Sequence, residues 1–189
     1  MSKKVYVLID GENIDATLGK ILERRPNPED RPRWHYVLAH ARELYPDAEV
    51  SGLFFLHSPS DELLPIAFVK ALTALGFTVV PLKGTGNINE QVVDIGILRT
   101  LTGIFDQGEG HVILVSHDGG YADIVKDLLG NNHDVSIVGF NEFVSSAYVH
   151  LQPLGLQIFD LENDVGAFDV ELPRVRVIDL EEFDPSSYL

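Results

Sequence analysis

The sequence predicts an α/β fold, in which helices cover both faces of a mostly parallel sheet as a three-layer α/β/α sandwich. Two observations lead to this prediction. Apolar runs of strand length alternate along the 189 residues with segments of helical periodicity. The first run, residues 4–9, is almost continuously apolar, which is typical of a strand buried on both faces.

The strands are predicted from apolar runs bounded by polar or glycine-containing turns. They are expected at residues 4–9, 49–56, 77–82, 111–116, 134–138 and 156–159. The helices are predicted from apolar residues spaced three or four positions apart. They are expected at residues 15–23, 34–44, 60–75, 89–105, 121–129 and 142–150.

Length and charge define the expected domain organisation. A chain of this size with 45% hydrophobic residues can bury one substantial core. We expect one domain over residues 1–160, followed by an acidic, partly ordered C-terminal tail over residues 161–189. The formal net charge is −15, and nine Asp and Glu residues against two Arg lie from residue 151 onward. The tail is thus disproportionately acidic.

Several classes of protein are disfavoured by composition. The chain has no cysteine, which excludes disulfides and Cys-based zinc sites. No apolar run approaches membrane-spanning length, and the N-terminus has no signal-like apolar segment. We expect a soluble cytoplasmic protein that does not interact with membranes.

Three aspartates are expected to meet at one edge of the sheet. Asp10 and Asp118 each follow a strand and precede a turn and a helix, which places them at the carboxyl ends of strands, where open α/β sheets bind ligands. Asp94 lies within an amphipathic helix near its apolar face, where an unpaired carboxylate is costly. Carboxylates brought together repel one another unless a cation lies between them. The pattern predicts Mg²⁺ or Mn²⁺, hard cations that prefer oxygen ligands.

These residues also carry a family resemblance. The segments Ile9-Asp10-Gly11-Glu12-Asn13, Val93-Asp94 and Val115-Ser116-His117-Asp118-Gly119-Gly120-Tyr121 resemble the NYN domain, in its LabA-like branch of the PIN-like nuclease superfamily. The resemblance covers about residues 4–150. It implies a parallel α/β/α sandwich and RNA cleavage that depends on Mg²⁺ or Mn²⁺. It assigns metal coordination to Asp10, Asp94 and Asp118, with Asn13 and Ser116 as supporting polar groups.

The sequence departs from the family pattern at one expected carboxylate. Family members commonly have a second aspartate two residues after the one matched by Asp118, and here that position is Gly120. Glu12 and Asp123 are possible substitutes. Two function classes therefore stay open: a metal-dependent ribonuclease, and a catalytically weak module that binds RNA, a nucleotide or a protein partner. A phosphatase of the haloacid dehalogenase type is a distant third, because the second aspartate of that chemistry is absent after Asp10.

Substrate contacts are less well defined by the sequence. A strongly acidic chain lacks the broad basic surface of tight nucleic-acid binders. We expect single-stranded RNA as substrate, contacted by Asn13, Ser116, His117 and Arg99. The proline-rich segment 24–33 carries four arginines and precedes Trp34. It is either a phosphate-binding loop with an aromatic for base stacking, or a solvated loop with internally paired arginines and a core tryptophan.

The tail offers a second kind of interaction. Its acidic residues alternate with large apolar ones, and Val175–Ile178 has the composition of a short strand. Such a strand could add to a sheet edge of a second copy, giving a homodimer, or of a protein partner. The alternative is that the tail covers apolar surface of its own domain.

Overall fold

In the part of the chain that the structure describes, six parallel strands form one sheet in the order β3-β2-β1-β4-β5-β6. The computed structural model describes residues 4–58, 64–85, 91–175 and 178–189. The strands are β1 Lys4–Asp10, β2 Glu49–His57, β3 Phe77–Leu82, β4 His111–Val115, β5 Val135–Gly139 and β6 Gln157–Asp160. The α-helices are α1 Gly11–Leu22, α2 Trp34–Leu44, α3 Ile66–Ala74, α4 Val92–Gln107, α5 Ala122–Gly130 and α6 Ser146–Val149. The predicted α/β class and three-layer architecture are confirmed.

The element boundaries differ from the predicted ones where side chains cap the helices. Helix α1 begins at Gly11, four residues earlier than expected, because the Asp10 side chain caps it. Helix α6 is limited to four residues, starting after the Ser145 cap. Residues 60–63 and 89–90, which were predicted to begin α3 and α4, lie outside the described part of the chain.

The strand order places β1 and β4 side by side at the centre of the sheet. The chain leaves β1 toward the face that carries α1, α2 and α3, and leaves β4 toward the face that carries α4 and α5. The carboxyl ends of these two strands therefore border a crevice at the topological switch point, which is the usual ligand site of open parallel sheets.

Both faces of the sheet are buried, as a parallel sheet requires. On the α4 and α5 face, the core contains Ile97 and Leu128. On the α1 and α2 face, it contains Leu18 and Trp34. These helices lie over the β1–β2 side of that second face, so its β5–β6 side needs another cover.

Residues after β6 provide that cover, although their composition predicted an acidic tail. Leu161, Val165, Ala167 and Leu172 are buried in the same cluster as α1 and α2. The main-chain N–H of Arg33 donates to the carbonyl of Ala167 at 2.7 Å, which joins this segment to the start of α2. The boundary predicted at residue 160 stays a prediction about independent folding, but side chains on both sides of it share one core.

Arg174 fastens the end of the covering segment. Its guanidinium donates to Asp160, to Glu162 at 2.9 Å and to Glu142, and lies 5.0 Å from the centre of the Phe140 ring. Beyond it, Val175 is 89% exposed. Residues 176 and 177 of the predicted strand lie outside the described residues.

Each helix in the described ranges is too short or too polar to span a lipid bilayer.

Candidate active site

Asp10 is the buried centre of the site and is only 1% exposed. As the N-cap of α1, its Oδ1 accepts a hydrogen bond from the main-chain N–H of Asn13 at 3.1 Å. The hydroxyl of Ser116 donates to its Oδ2 at 3.0 Å. Burial raises the pKa of Asp10 from 3.8 to about 6, against the lowering effect of these two hydrogen bonds. The charges of Asp94 and Glu12 raise it further.

The turn after β4 ties Asp118 to Asp10 through Ser116. The Ser116 oxygen accepts the main-chain N–H of Asp118 at 3.2 Å while its hydroxyl donates to Asp10. The Asp118 carboxylate accepts the N–H of Gly120 at 2.8 Å, which folds the turn tightly. A Cβ at position 119 would lie 2.4 Å from the Ser145 hydroxyl, so any larger residue there would have to displace that side chain. The ends of β1 and β4 are thus held as one unit.

Asp94 reaches the same crevice from the first turn of α4. The hydroxyl of Tyr121 donates to Asp94 Oδ1 at 3.1 Å and lies 3.5 Å from Asp10 Oδ2, a contact longer than a good hydrogen bond. Burial raises the pKa of Asp94, the Tyr121 hydrogen bond opposes this rise, and the charge of Asp118 adds to it. The structure therefore brings the three predicted aspartates together at the carboxyl edge of the sheet.

His117 lies beneath this edge and is 6% exposed. Its Nε2 accepts the main-chain N–H of Phe140 at 2.7 Å, so the proton is assigned to Nδ1. Nδ1 then donates to the side-chain oxygen of Asn13 at 2.9 Å and lies 3.2 Å from the Thr17 hydroxyl. Burial lowers the pKa of His117 to about 4, so the ring is neutral at physiological pH. Both ring nitrogens are occupied within the protein.

Arg99 is an exposed residue of α4. It follows Asp94 by five residues, which turns it roughly 140° around the helix axis from that carboxylate. The structure therefore directs Arg99 and Asp94 to different sides of α4.

The arginines of segment 24–33 are largely paired. Arg24 forms an ion pair with Asp30 at 2.6 Å, and Arg31 pairs with Asp15 at 2.6 Å. Trp34 is 5% exposed and belongs to the core. The core position of Trp34 and the Arg24–Asp30 pair agree with the second interpretation of this segment. Arg31 and Arg33, however, pair with Asp15 and Asp169, which lie outside it.

A cavity of about 590 Å³ lies beside the acidic site, between α1, segment 24–33, β2 and α3. Trp34 and Phe68 form part of its apolar wall, and Arg25 lines it. Glu12, which follows Asp10 by two residues, also lines the cavity and accepts the main-chain N–H of His57 at 3.3 Å. The cavity and the acidic crevice are therefore adjacent along α1.

The chemistry of the donor set suits a hard divalent cation. Asp10, Asp94 and Asp118 offer only oxygen atoms, and the first two have pKa values raised by burial, as expected of carboxylates that lack a counter-charge. In the described part of the chain, no three His, Asp or Glu side chains are grouped so that they could hold one ion as they stand. Metal coordination by these aspartates stays a prediction.

Sequence reasoning missed two tyrosines of the site. Tyr121 is 2% exposed, and its hydroxyl donates to Asp94 and lies 3.5 Å from Asp10. The hydroxyl of Tyr148 donates to the main-chain carbonyl of Asp118. The only available signal was a tyrosine directly after the Asp118-Gly119-Gly120 turn, and apolar spacing cannot show where a hydroxyl points.

Fold and site together define an α/β protein whose acidic side chains gather in the switch-point crevice of an all-parallel sheet. The family model of the NYN domain matches residues 4–152, and the chain belongs to the NYN domain family. The sequence matches no curated protein.

A similar fold is found in the crystal structure of VPA0982, a protein of unknown function from Vibrio parahaemolyticus RIMD 2210633. The two chains are 20% identical and superpose with a TM-score of 0.65, covering 86% of this chain and 95% of that one. At this identity, the likeness describes the fold alone.

Proposed function

We propose that this protein is a divalent-metal-dependent ribonuclease of the LabA-like branch, which hydrolyses phosphodiester bonds of single-stranded RNA. The NYN domain implies the PIN-like nuclease superfamily, whose members generally depend on divalent metal and act on RNA. The observation that carries the proposal is the buried Asp10 carboxylate, which shares one crevice with Asp94 and Asp118. A carboxylate buried in this way destabilises the protein unless a bound cation offsets its charge.

Asp10, Asp94 and Asp118 would hold Mg²⁺ or Mn²⁺. When bound, such ions activate a water molecule and stabilise the leaving oxygen in phosphodiester hydrolysis. Ser116 orients Asp10 and Asp118 by bonding to both. At neutral pH Asp10 is ionised, because its pKa of about 6 lies below that pH.

His117 serves this site as a supporting residue. It fixes the Asn13 side chain, and the main chain of Asn13 in turn donates to Asp10. A direct contact between His117 and RNA would require the bond to Phe140 or to Asn13 to break. We therefore assign His117 a role in positioning Asn13, with substrate contacts made by groups nearer the surface.

The test is cleavage of a fluorescent single-stranded RNA in Mn²⁺, comparing the parent protein with Asp10→Asn. The matched control is Asp106→Asn, an exposed aspartate near the other end of α4 from Asp94. We expect cleavage by the parent and by Asp106→Asn, and its loss in Asp10→Asn. Cleavage that survives Asp10→Asn would contradict the proposal.

The second candidate is a catalytically weak module that binds RNA, a nucleotide or a protein partner through the same edge. Gly120, where the family pattern has a carboxylate, favours it. Of the two possible substitutes, only Glu12 contributes to the raised pKa of Asp10, whereas Asp123 is exposed on α5. The single tryptophan, Trp34, lines the adjacent cavity, so its fluorescence can report RNA binding. Quenching by RNA without cleavage in Mn²⁺ would favour this candidate.

A further inference from the structure

The hydroxyl of Tyr121 lies between two carboxylates of the proposed metal site. It is 3.1 Å from Asp94 Oδ1 and 3.5 Å from Asp10 Oδ2. A phenol carries one proton, so it can donate fully to only one carboxylate at a time. Asp94 and Asp10 therefore have a single neutral donor between them. A cation bound between them would instead offset both of their negative charges.

We propose that Tyr121 sets the metal affinity of this site, because its hydroxyl occupies an oxygen of Asp94 and a cation must displace that hydrogen bond to bind. The inference rests on the proposed metal-dependent function. It gives the tyrosine that follows the Asp118 turn a role that depends on its oxygen and not on its ring.

The core keeps the Tyr121 hydroxyl in this position. Its ring is buried in the same cluster as Val93 and Ile97 of α4 and Val125 of α5. A ring packed on several sides cannot swing its hydroxyl into solvent without opening the core. Any group that binds Asp94 and Asp10 must therefore compete with the hydroxyl in place.

The Tyr121 hydrogen bond should weaken cation binding. A hydrogen bond to a carboxylate is stronger than one between neutral groups, and this one is partly buried. A cation that takes the lone pairs of Asp94 must offset the loss of that bond. Removal of the hydroxyl should leave the metal-free carboxylates less stabilised and the cation more tightly bound.

The experiment is a Mn²⁺ titration followed by thermal unfolding, with Tyr121→Phe, which removes the oxygen and keeps the ring. The control is Tyr45→Phe, which removes a half-buried hydroxyl bonded to Ser136, far from the aspartates. We expect Tyr121→Phe to lower the metal-free Tm and to tighten Mn²⁺ binding by about tenfold, the equivalent of one charged hydrogen bond. Tyr45→Phe should lower the Tm without changing the Mn²⁺ dissociation constant.

Two results would overturn the inference. An unchanged dissociation constant in Tyr121→Phe would show that the ring only packs, and weaker binding would show that the hydroxyl helps the metal. If Tyr121→Phe does not fold, the inference can be tested with 3-fluorotyrosine at position 121. Its ¹⁹F resonance should shift on Mg²⁺ saturation while the same label at Tyr45 does not, and no shift at position 121 would refute the inference.

The outcome is separable from that of the proposed function. Metal binding without RNA cleavage would contradict the ribonuclease proposal and leave the role of Tyr121 intact. No metal binding by either the parent or Tyr121→Phe would overturn both.

Discussion

The buried Asp10 carboxylate lowers the stability of the protein as it ionises with rising pH, and a neutral side chain at this position should remove that effect. Because its folded pKa of about 6 exceeds 3.8, its contribution to stability is fully present below about pH 3.8 and is lost as pH rises through 6. Relative to the parent, Asp10→Asn should therefore gain up to about 3 kcal/mol of metal-free stability between pH 4 and pH 8. Urea unfolding at several pH values measures this difference.

Asp10→Asn should also abolish stabilisation by Mn²⁺. An ion that binds only the native state raises the stability of that state, and this variant lacks one of the carboxylates that would hold the ion. Asp106→Asn is again the control, and it should keep the stabilisation by Mn²⁺. A difference between Asp10→Asn and the parent that stays constant from pH 4 to pH 8 would show that Asp10 is not destabilised by burial.

His117 has the opposite dependence. Its pKa falls from 6.5 to about 4 on folding, so its contribution is present above pH 6.5 and is lost as pH falls through 4. We expect His117→Gln to lower stability at pH 7 by about 1–3 kcal/mol through lost hydrogen bonds. It should also reduce the loss of stability between pH 6.5 and pH 4, as measured by urea unfolding. An equally steep loss in His117→Gln would assign the acid sensitivity to other groups.

At the scale of elements, the turn between β4 and α5 decides how many carboxylates the site offers. A Cβ at Gly120 would lie 3.2 Å from Asp118 Oδ1, so Gly120→Asp places a second carboxylate beside the first. We expect the metal-free Tm to fall through repulsion, and the rise in Tm with Mn²⁺ to exceed that of the parent. Gly120→Asn, with similar shape and no charge, is the control. Equal Mn²⁺ shifts in the two variants would show that position 120 does not face the cation.

The elements that sequence could predict are those fixed by local patterns. Strands such as β1 and β4 are runs of mostly buried apolar residues. Asp10 and Asp118 could be identified because they lie at or just after the ends of these strands. For the end of the chain, the sequence left two alternatives open, docking on another chain and covering its own domain. Its many acidic residues did not show that apolar side chains such as Leu161 and Leu172 reach the core. The hydrogen bonds of Tyr121 and His117 join residues far apart in sequence, and no spacing rule identifies them.

At the scale of the whole molecule, the fold extends beyond the matched family segment, which ends at residue 152. We predict that a chain shortened to residue 178 keeps the cooperative unfolding and metal response of the parent. A chain shortened to residue 160 should lose cooperative unfolding, because the face over β5 and β6 loses several side chains worth about 1.5–3 kcal/mol each. Circular dichroism during heating measures both.

The variant Arg174→Met tests the ion pairs of Arg174 separately from the buried apolar side chains of residues 161–172. Asp160 is 1% exposed and would be left without its ionic partner in the core, so we expect a loss of about 3–5 kcal/mol. Cooperative unfolding of the chain shortened to residue 160, at the parent Tm, would show that the domain is complete without the segment.

The late position of the covering segment also affects how the protein is made. Residues 161–172 are synthesised only after strands β1 to β6 have left the ribosome's active centre, so the β5–β6 side of one sheet face stays open until then. During that interval Val138 and Phe140 present apolar surface to other nascent chains and to chaperones. Slow translation across this segment should therefore lower the yield of native protein more than slow translation within α1.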